Sequence, residues 1–305
     1  MRQTPSWQAR LFDAYSRLVI RRRDWGEPIA LARRARRLWG VPAPLQRLAL
    51  RGLLQQSVAD GGVHGEWIVP TRPGRGVVLY LHGGGYVACS AATHRPLTAA
   101  LARATGRRVF AADYRLAPEA VFPAAFDDVA AIYHWLVTRG AVDEPIVVAG
   151  ESAGGGLALA LTVHARDVGW PAPAGVVGFS PWTDLAGTGT SVRANAGRCA
   201  MFHPNNITAF AAAYLGSADA SDPRASPFYA NLVGLPPVLL QVGSTELLLD
   251  DARRVHERII AAGGSSRLTV FNDVPHAWQL LTPVLPEARA AIAEAADFIA
   301  TKLAA

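Results

Sequence analysis

Cysteine, methionine and lysine are nearly missing from this 305-residue chain, which has two Cys, two Met and, among 30 basic residues, a single lysine at Lys302. Cys89 and Cys199 are too few for a disulfide framework and read as reduced thiols. No C-x-x-C or H-E-x-x-H spacing occurs, so neither a metal nor a cofactor is expected. Long apolar runs are missing too. Nothing reaches the roughly 18 residues of a membrane helix, and Arg2, Arg10, Asp13 and Arg17 break the N-terminus before the roughly 7 to 15 apolar residues of a secretory signal accumulate. A soluble cytoplasmic protein is the expectation. There is no internal repeat or low-complexity tract.

Charge is present but uneven. Residues 1–55 hold 12 Arg and 3 acids, a net +9 that leaves −3 of the total +6 for the remainder. Such an arm suits nucleic acid or an anionic membrane surface. However, Arg21, Arg22, Arg23 and Arg33, Arg34, Arg36, Arg37 alternate with apolar residues such as Leu31 and Leu38, the pattern of helices with a solvated outer side. That reading is preferred, and no nucleic-acid partner is expected.

Short apolar runs at 77–81, 109–112, 146–149, 176–179, 238–242 and 268–271 alternate with helical patterns at about 91–105, 124–138, 153–166, 247–262 and 287–303. Strands buried on both faces and separated by helices predict an α/β fold with a mostly parallel sheet covered on both sides. The segment near 50–70 is expected to add antiparallel edge strands. With hydrophobic residues at 50%, a chain of this length can bury one sizeable core.

Two glycine-rich turns carry the chemistry. Gly150, Glu151, Ser152, Ala153, Gly154, then Gly155 and Gly156, follow the run 146–149 and fit the G-x-S-x-G nucleophile elbow, a bend so tight that flanking side chains would clash. Pro145 before the run and the helix-forming Leu157 to Val163 after it supply the strand–turn–helix context. His82, Gly83, Gly84, Gly85 follow the run 77–81. Backbone amides of Gly83 and Gly84, with that of Ala153, are the expected donors to a developing oxyanion. A phosphate cradle is disfavoured because the P-loop lysine and its following Ser or Thr are missing.

With these turns the chain resembles the bacterial hormone-sensitive-lipase-like carboxylesterases of the α/β-hydrolase fold. The resemblance runs from Val77 to the C-terminus through His82 to Gly85, Asp113 to Glu119, Gly150 to Gly156, Ser180, Pro181, Trp182 with Asp184, and Pro275, His276. It implies an α/β-hydrolase domain of residues 51–184 and 231–305, with a helical cap made of residues 1–50 and 185–230. It also implies an ester-cleaving serine, a bracing role for His82, and a possible homodimer.

The base should come last in chain order. Of eight histidines, His134 and His164 fall in helical patterns, and His94, His203 and His256 precede or separate the late strands. His276 stands in a loop after the run 268–271, opened by Asn272, Asp273 and Pro275. The acid should follow the strand at 238–242. The resembling family opens this stretch with Asp and closes it four residues later with a second Asp, whereas here Glu246 opens and Asp250 closes it. Glu246 is preferred, with Asp250, Asp251 and Asp184 as alternatives. Glu151 is expected to bond loop backbone, and Asp113 to Glu119 to form a buried or half-buried polar network tying its loop to the helix that begins near Pro123.

In the second cap segment a helix is expected from Asn205 to Leu215. Met201, Phe202, Phe210 and Tyr214 are the candidate substrate contacts. The expected activity is hydrolysis of short to medium acyl esters, with lactones included, by a Ser152–His276–Glu246 triad. An amidase on the same machinery is the alternative, and a non-catalytic receptor is disfavoured because Ser152 and His276 are both present.

Overall fold

The computed structural model describes residues 4–21, 26–39, 41–141 and 143–304. Arg2, Arg22 and Arg23 lie outside them. Eight strands form one sheet: β1 (Leu53–Asp60), β2 (Val63–Pro70), β3 (Val77–Leu81), β4 (Arg108–Asp113), β5 (Ile146–Glu151), β6 (Gly175–Phe179), β7 (Val238–Gly243) and β8 (Ser266–Phe271). Their order across the sheet is β1-β2-β4-β3-β5-β6-β7-β8. As expected, β1 and β2 are an antiparallel edge hairpin, and β2 meets β4 antiparallel while every later pairing is parallel. Gly61 and Gly62 turn the hairpin with φ of 56° and 88°, the positive pair that a two-residue turn between twisted strands needs.

Strand alternation divides the core. Val77, Leu79 and Leu81 of β3 point to one face, where helices α5 (Ala124–Trp135), α6 (Ala153–Asp167) and α9 (Leu249–Ala261) pack. Val78 and Tyr80 point to the other, against α4 (Arg95–Thr105) and α10 (Pro286–Leu303). All five residues of β3 and all six of β5 are buried, which explains their unbroken apolar runs. Boundaries differ from expectation only at ends: the helix expected from 91 begins as a 3-10 turn over Ala92–His94, and that expected to reach 138 loosens into a π turn over Leu136–Gly140.

Because the chain crosses from β4 back over β3 to β5, strand order reverses between β3 and β5. In open α/β sheets the crevice at the carboxyl ends of such neighbours is where ligands bind. Both glycine turns stand there: His82 to Gly85 leaves β3 and Ser152 leaves β5.

Helices α1 (Trp7–Tyr15), α2 (Pro28–Leu38) and α3 (Ala43–Ala49) come from the arginine-rich segment, and α8 (Pro204–Leu215) matches the helix expected at 205–215, with the short α7 (Ser191–Ala194) before it. Arg33, Arg34, Arg36 and Arg37 are exposed, as the alternation predicted. Arg17 and Arg21 instead donate to the carbonyls of Ala196, Gly197, Arg198 and Cys199, joining the N-terminal segment to the stretch before α8. Trp39, just past α2, stacks on Phe210 of α8 with ring centroids 5.6 Å apart.

The Asp113 to Glu119 stretch is buried or half-buried as expected except at Arg115 and Glu119. Arg115 pairs with Asp128 of α5 at 2.7 Å and Glu119 with Arg36 of α2 at 2.7 Å, both largely in solvent. The tie to α5 is as expected, and the tie to α2 is an addition. Among the described residues no helix is long and apolar enough to cross a membrane.

Candidate active site

Ser152 occupies φ 53° and ψ −119°, a region that costs a serine about 1–3 kcal/mol and persists only where the surroundings over-determine it. Here they do. Its amide donates to the Phe179 carbonyl at 2.8 Å, and its own carbonyl accepts from the amides of Gly155 at 3.0 Å, Gly156 at 3.1 Å and Trp182 at 2.9 Å. Close packing beneath the bend excludes side chains: a Cβ on Gly154 would sit 2.1 Å from the Leu81 carbonyl oxygen and 2.4 Å from that of His82. Gly154→Ala is therefore expected to force the two glycine turns apart and destabilise the fold by about 1–3 kcal/mol. A melting temperature unchanged from the parent in calorimetry contradicts this.

The Ser152 hydroxyl meets His276 Nε2 at 2.9 Å, and His276 Nδ1 meets Glu246 Oε2 at 2.5 Å. The other oxygen of Glu246 accepts from the Gly243 amide at 2.5 Å and from the Ser180 hydroxyl at 2.8 Å, so the carboxyl is fixed at both ends. Ser152, His276 and Glu246 are 7%, 4% and 1% exposed. Burial disfavours the His276 imidazolium, yet the charges and hydrogen bond of Glu246, with Glu151 added, outweigh it and raise its pKa above the usual 6.5.

The other carboxylates are engaged elsewhere. Asp250 accepts from the Thr190 hydroxyl at 2.5 Å and the Ser191 amide at 2.8 Å. Asp251 accepts from the amides of Thr183 and Asp184, and burial, with the Asp184 charge, pushes its pKa up to about 8 against those bonds. Asp184 gathers Thr188, Tyr229 and Arg254. Each of these groups braces the chain around the loops beyond β6 and β7, away from the imidazole.

Glu151 departs from its expected role. Its carboxyl lies between two imidazoles, 3.2 Å from His94 Nε2 and 3.6 Å from His276 Nε2, rather than on loop backbone. The first glycine turn also differs. The Gly83 amide is directed at His94 Nε2, 3.3 Å away, and Gly83 does not border the cavity that opens over Ser152. Gly84 and Gly85 do border it, and with Ala153 their amides meet no protein acceptor among the described residues. The glycine amides open to the cavity are thus one residue further on than expected. His82 braces the loop: Nδ1 donates to the Gly83 carbonyl at 2.7 Å, and its own carbonyl accepts from the Tyr114 hydroxyl at 2.6 Å. Burial, with the charge of nearby His94, drops its pKa to about 3, so the ring is neutral where it braces.

The cavity has a volume of about 280 Å³ and walls that are mainly apolar. Met201, Phe202 and Phe210 line it, and Phe202 lies edge-on to His276 at 5.4 Å. Tyr214 does not. It is fully buried one turn beyond Phe210, stacked on Tyr86 at 3.7 Å and edge-on to Phe122, so its expected substrate contact is corrected. Phe12, Tyr15, Leu38 and Trp39 of the N-terminal segment also form the wall. No local signal singled these out.

A serine on a strand-to-helix elbow, backed by a loop histidine and a carboxyl at the switch point of a parallel sheet, defines an α/β hydrolase. Consistent with this, a family model described as alpha/beta hydrolase fold matches residues 78–280. An acetyl-hydrolase of Streptomyces hygroscopicus is 41% identical over 80% of this chain and 82% of its own. An esterase of Acinetobacter venetianus is 35% identical over 78% of each chain. A crystal structure of an esterase from the bacterial hormone-sensitive lipase family superposes with a TM-score of 0.87 and 38% identity, covering 99% of this chain and 100% of that one. The chain belongs to that bacterial hormone-sensitive-lipase-like family of carboxylesterases and is a carboxylic ester hydrolase.

Proposed function

We propose that this chain is a serine esterase for short to medium acyl esters, lactones included, that works through an acyl-enzyme on Ser152. The observation that carries the reading is the unbroken line from Ser152 through His276 to Glu246 at the floor of an apolar cavity. Nε2 accepts the Ser152 proton as Oγ attacks the ester carbonyl carbon, and Glu246 holds the Nδ1–H tautomer and stabilises the imidazolium that forms. The carbonyl electron pair moves onto oxygen, which the amides of Gly84, Gly85 and Ala153 receive. As the tetrahedral adduct collapses, His276 returns the proton to the leaving alcohol. Water then attacks the acyl-enzyme, His276 takes its proton, and Ser152 leaves with that proton as the acid is released.

Met201, Phe202 and Phe210 are the proposed substrate contacts, and the segments 1–50 and 185–230 the cap that carries them. A volume of about 280 Å³ is at the small end of ligand sites and argues against long acyl chains. A series of p-nitrophenyl esters is expected to peak in kcat/KM at short to medium chains and to fall for long ones. No turnover of any ester, or a maximum at the longest chain, refutes the reading.

The same assay has an expected pH profile. Only neutral His276 accepts the serine proton, and its pKa is raised, so kcat/KM should be lost as pH falls through a value above 6.5. An acid limb at or below 6.5 contradicts the raised pKa of His276, and no acid limb at all contradicts its assignment as base.

A further inference from the structure

Helix α1 carries a second apolar face, turned to solvent. Trp7, Leu11, Tyr15 and Leu18, the last just past its end, fall within about 80° of one another at 100° per residue. They form an outward stripe that is 70%, 64%, 48% and 61% exposed. The side facing the protein buries Ala9, Ser16 and Ile20 and packs Phe12 against the core, so α1 is apolar on both sides. Of the remaining outward positions Ala14 adds no charge and Arg10 adds a positive one. A helix whose solvent side carries two aromatics, two leucines and an arginine has the composition of a segment lying in a lipid–water boundary.

Two further observations identify the occupant. The stripe begins a segment of net +9, which complements an anionic lipid surface and repels a second copy of the same segment across an isologous contact. The stripe also ends at the site: Tyr15 is exposed and lines the cavity over Ser152, and Phe12 on the next face of the helix lines it as well. We propose that the exposed face of α1 docks this protein on anionic lipid surfaces, with the cavity rim against the interface where water-insoluble esters collect. Docking is a binding property and does not depend on the proposed chemistry.

The test is co-sedimentation with vesicles of ether-linked lipids, which contain no acyl ester to be cleaved. Equal parts phosphatidylglycerol and phosphatidylcholine are compared with phosphatidylcholine alone. The protein is expected to sediment with the anionic vesicles, to be released by added salt, and to remain largely in solution with the neutral ones. The triple variant Trp7→Ser, Leu11→Ser, Leu18→Ser is expected to bind about tenfold more weakly or worse, because three interfacial side chains are lost. Its turnover of a dissolved, monomeric ester should be unchanged, showing that it is folded. Arg10→Glu keeps the apolar stripe and should weaken binding to the anionic vesicles alone. Equal binding to both vesicle types, binding to neither, or undiminished binding by the triple variant overturns the proposal. So does sedimentation velocity showing a dimer that the triple variant dissociates, which would assign the stripe to a second copy.

Discussion

Ser152→Ala is expected to lower kcat for a short-chain ester by about 10⁵-fold or more while leaving the fold intact. The loss is chemical because the elbow does not depend on the hydroxyl. It is held by backbone bonds from the Ser152 amide to Phe179 and to the Ser152 carbonyl from Gly155, Gly156 and Trp182. Alanine keeps all four and suffers no more strain than serine at φ 53°. What disappears is the hydroxyl placed 2.9 Å from His276 Nε2 at the cavity floor. The amides of Gly84, Gly85 and Ala153 would still polarise a bound carbonyl and leave a small residual rate. A melting temperature like the parent's beside turnover reduced by no more than about tenfold would remove Ser152 from the mechanism.

Glu246→Gln is expected to cost about 10⁴-fold in kcat, and its geometry explains why an almost isosteric change is so severe. Two donors, the Gly243 amide and the Ser180 hydroxyl, converge on Oε1. An amide side chain must therefore turn its oxygen toward them, which leaves its NH₂ facing His276 Nδ1. That NH₂ can only donate, so Nδ1 becomes the acceptor and the ring proton moves to Nε2. The ring then presents an N–H to Ser152 and cannot take its proton. Glu151 offers no rescue: its carboxyl approaches Nε2, at 3.6 Å, on the serine side of the ring. Asp250→Asn, whose carboxylate among the described residues bonds Thr190 and Ser191 and pairs with Arg253, is expected to stay within a few-fold of the parent rate. The opposite ranking of these two variants in steady-state kinetics would move the acid to Asp250.

What could be read from sequence was what local chemistry dictates. Five of the six parallel strands, β3 to β7, appeared as apolar runs because both their faces are covered, whereas β8 at the sheet edge is only half-buried. The Ser152 elbow was legible because its bend admits so few residues at Gly150 and Gly154. His276 and Glu246 were legible from chain order in a resembling family, and the structure brings both to within hydrogen-bonding distance in one line with Ser152. Matters decided by tertiary neighbours were not legible. Phe210 and Tyr214 lie four residues apart on α8, so helical spacing treats them alike. Only the packing of Trp39 on one and Tyr86 on the other separates a cavity wall from core. Likewise only the packed turn shows which glycines of an otherwise uniform run face the cavity, with Gly84 and Gly85 bordering it and Gly83 turned toward His94. The N-terminal arginines read as a solvated face, but Arg17 and Arg21 are tethers to the segment at 196–199, and the unusual face of α1 is its exposed apolar one.

The central claim is that Ser152 alone becomes acylated. It is tested most directly by treating the protein with a stoichiometric fluorophosphonate and following both residual activity and peptide mass. The account predicts one adduct per chain on the peptide containing Ser152, with esterase activity lost in proportion to labelling and no adduct on Ser152→Ala. Full labelling of Ser152 with activity retained, or inactivation with the adduct on another residue, would contradict it.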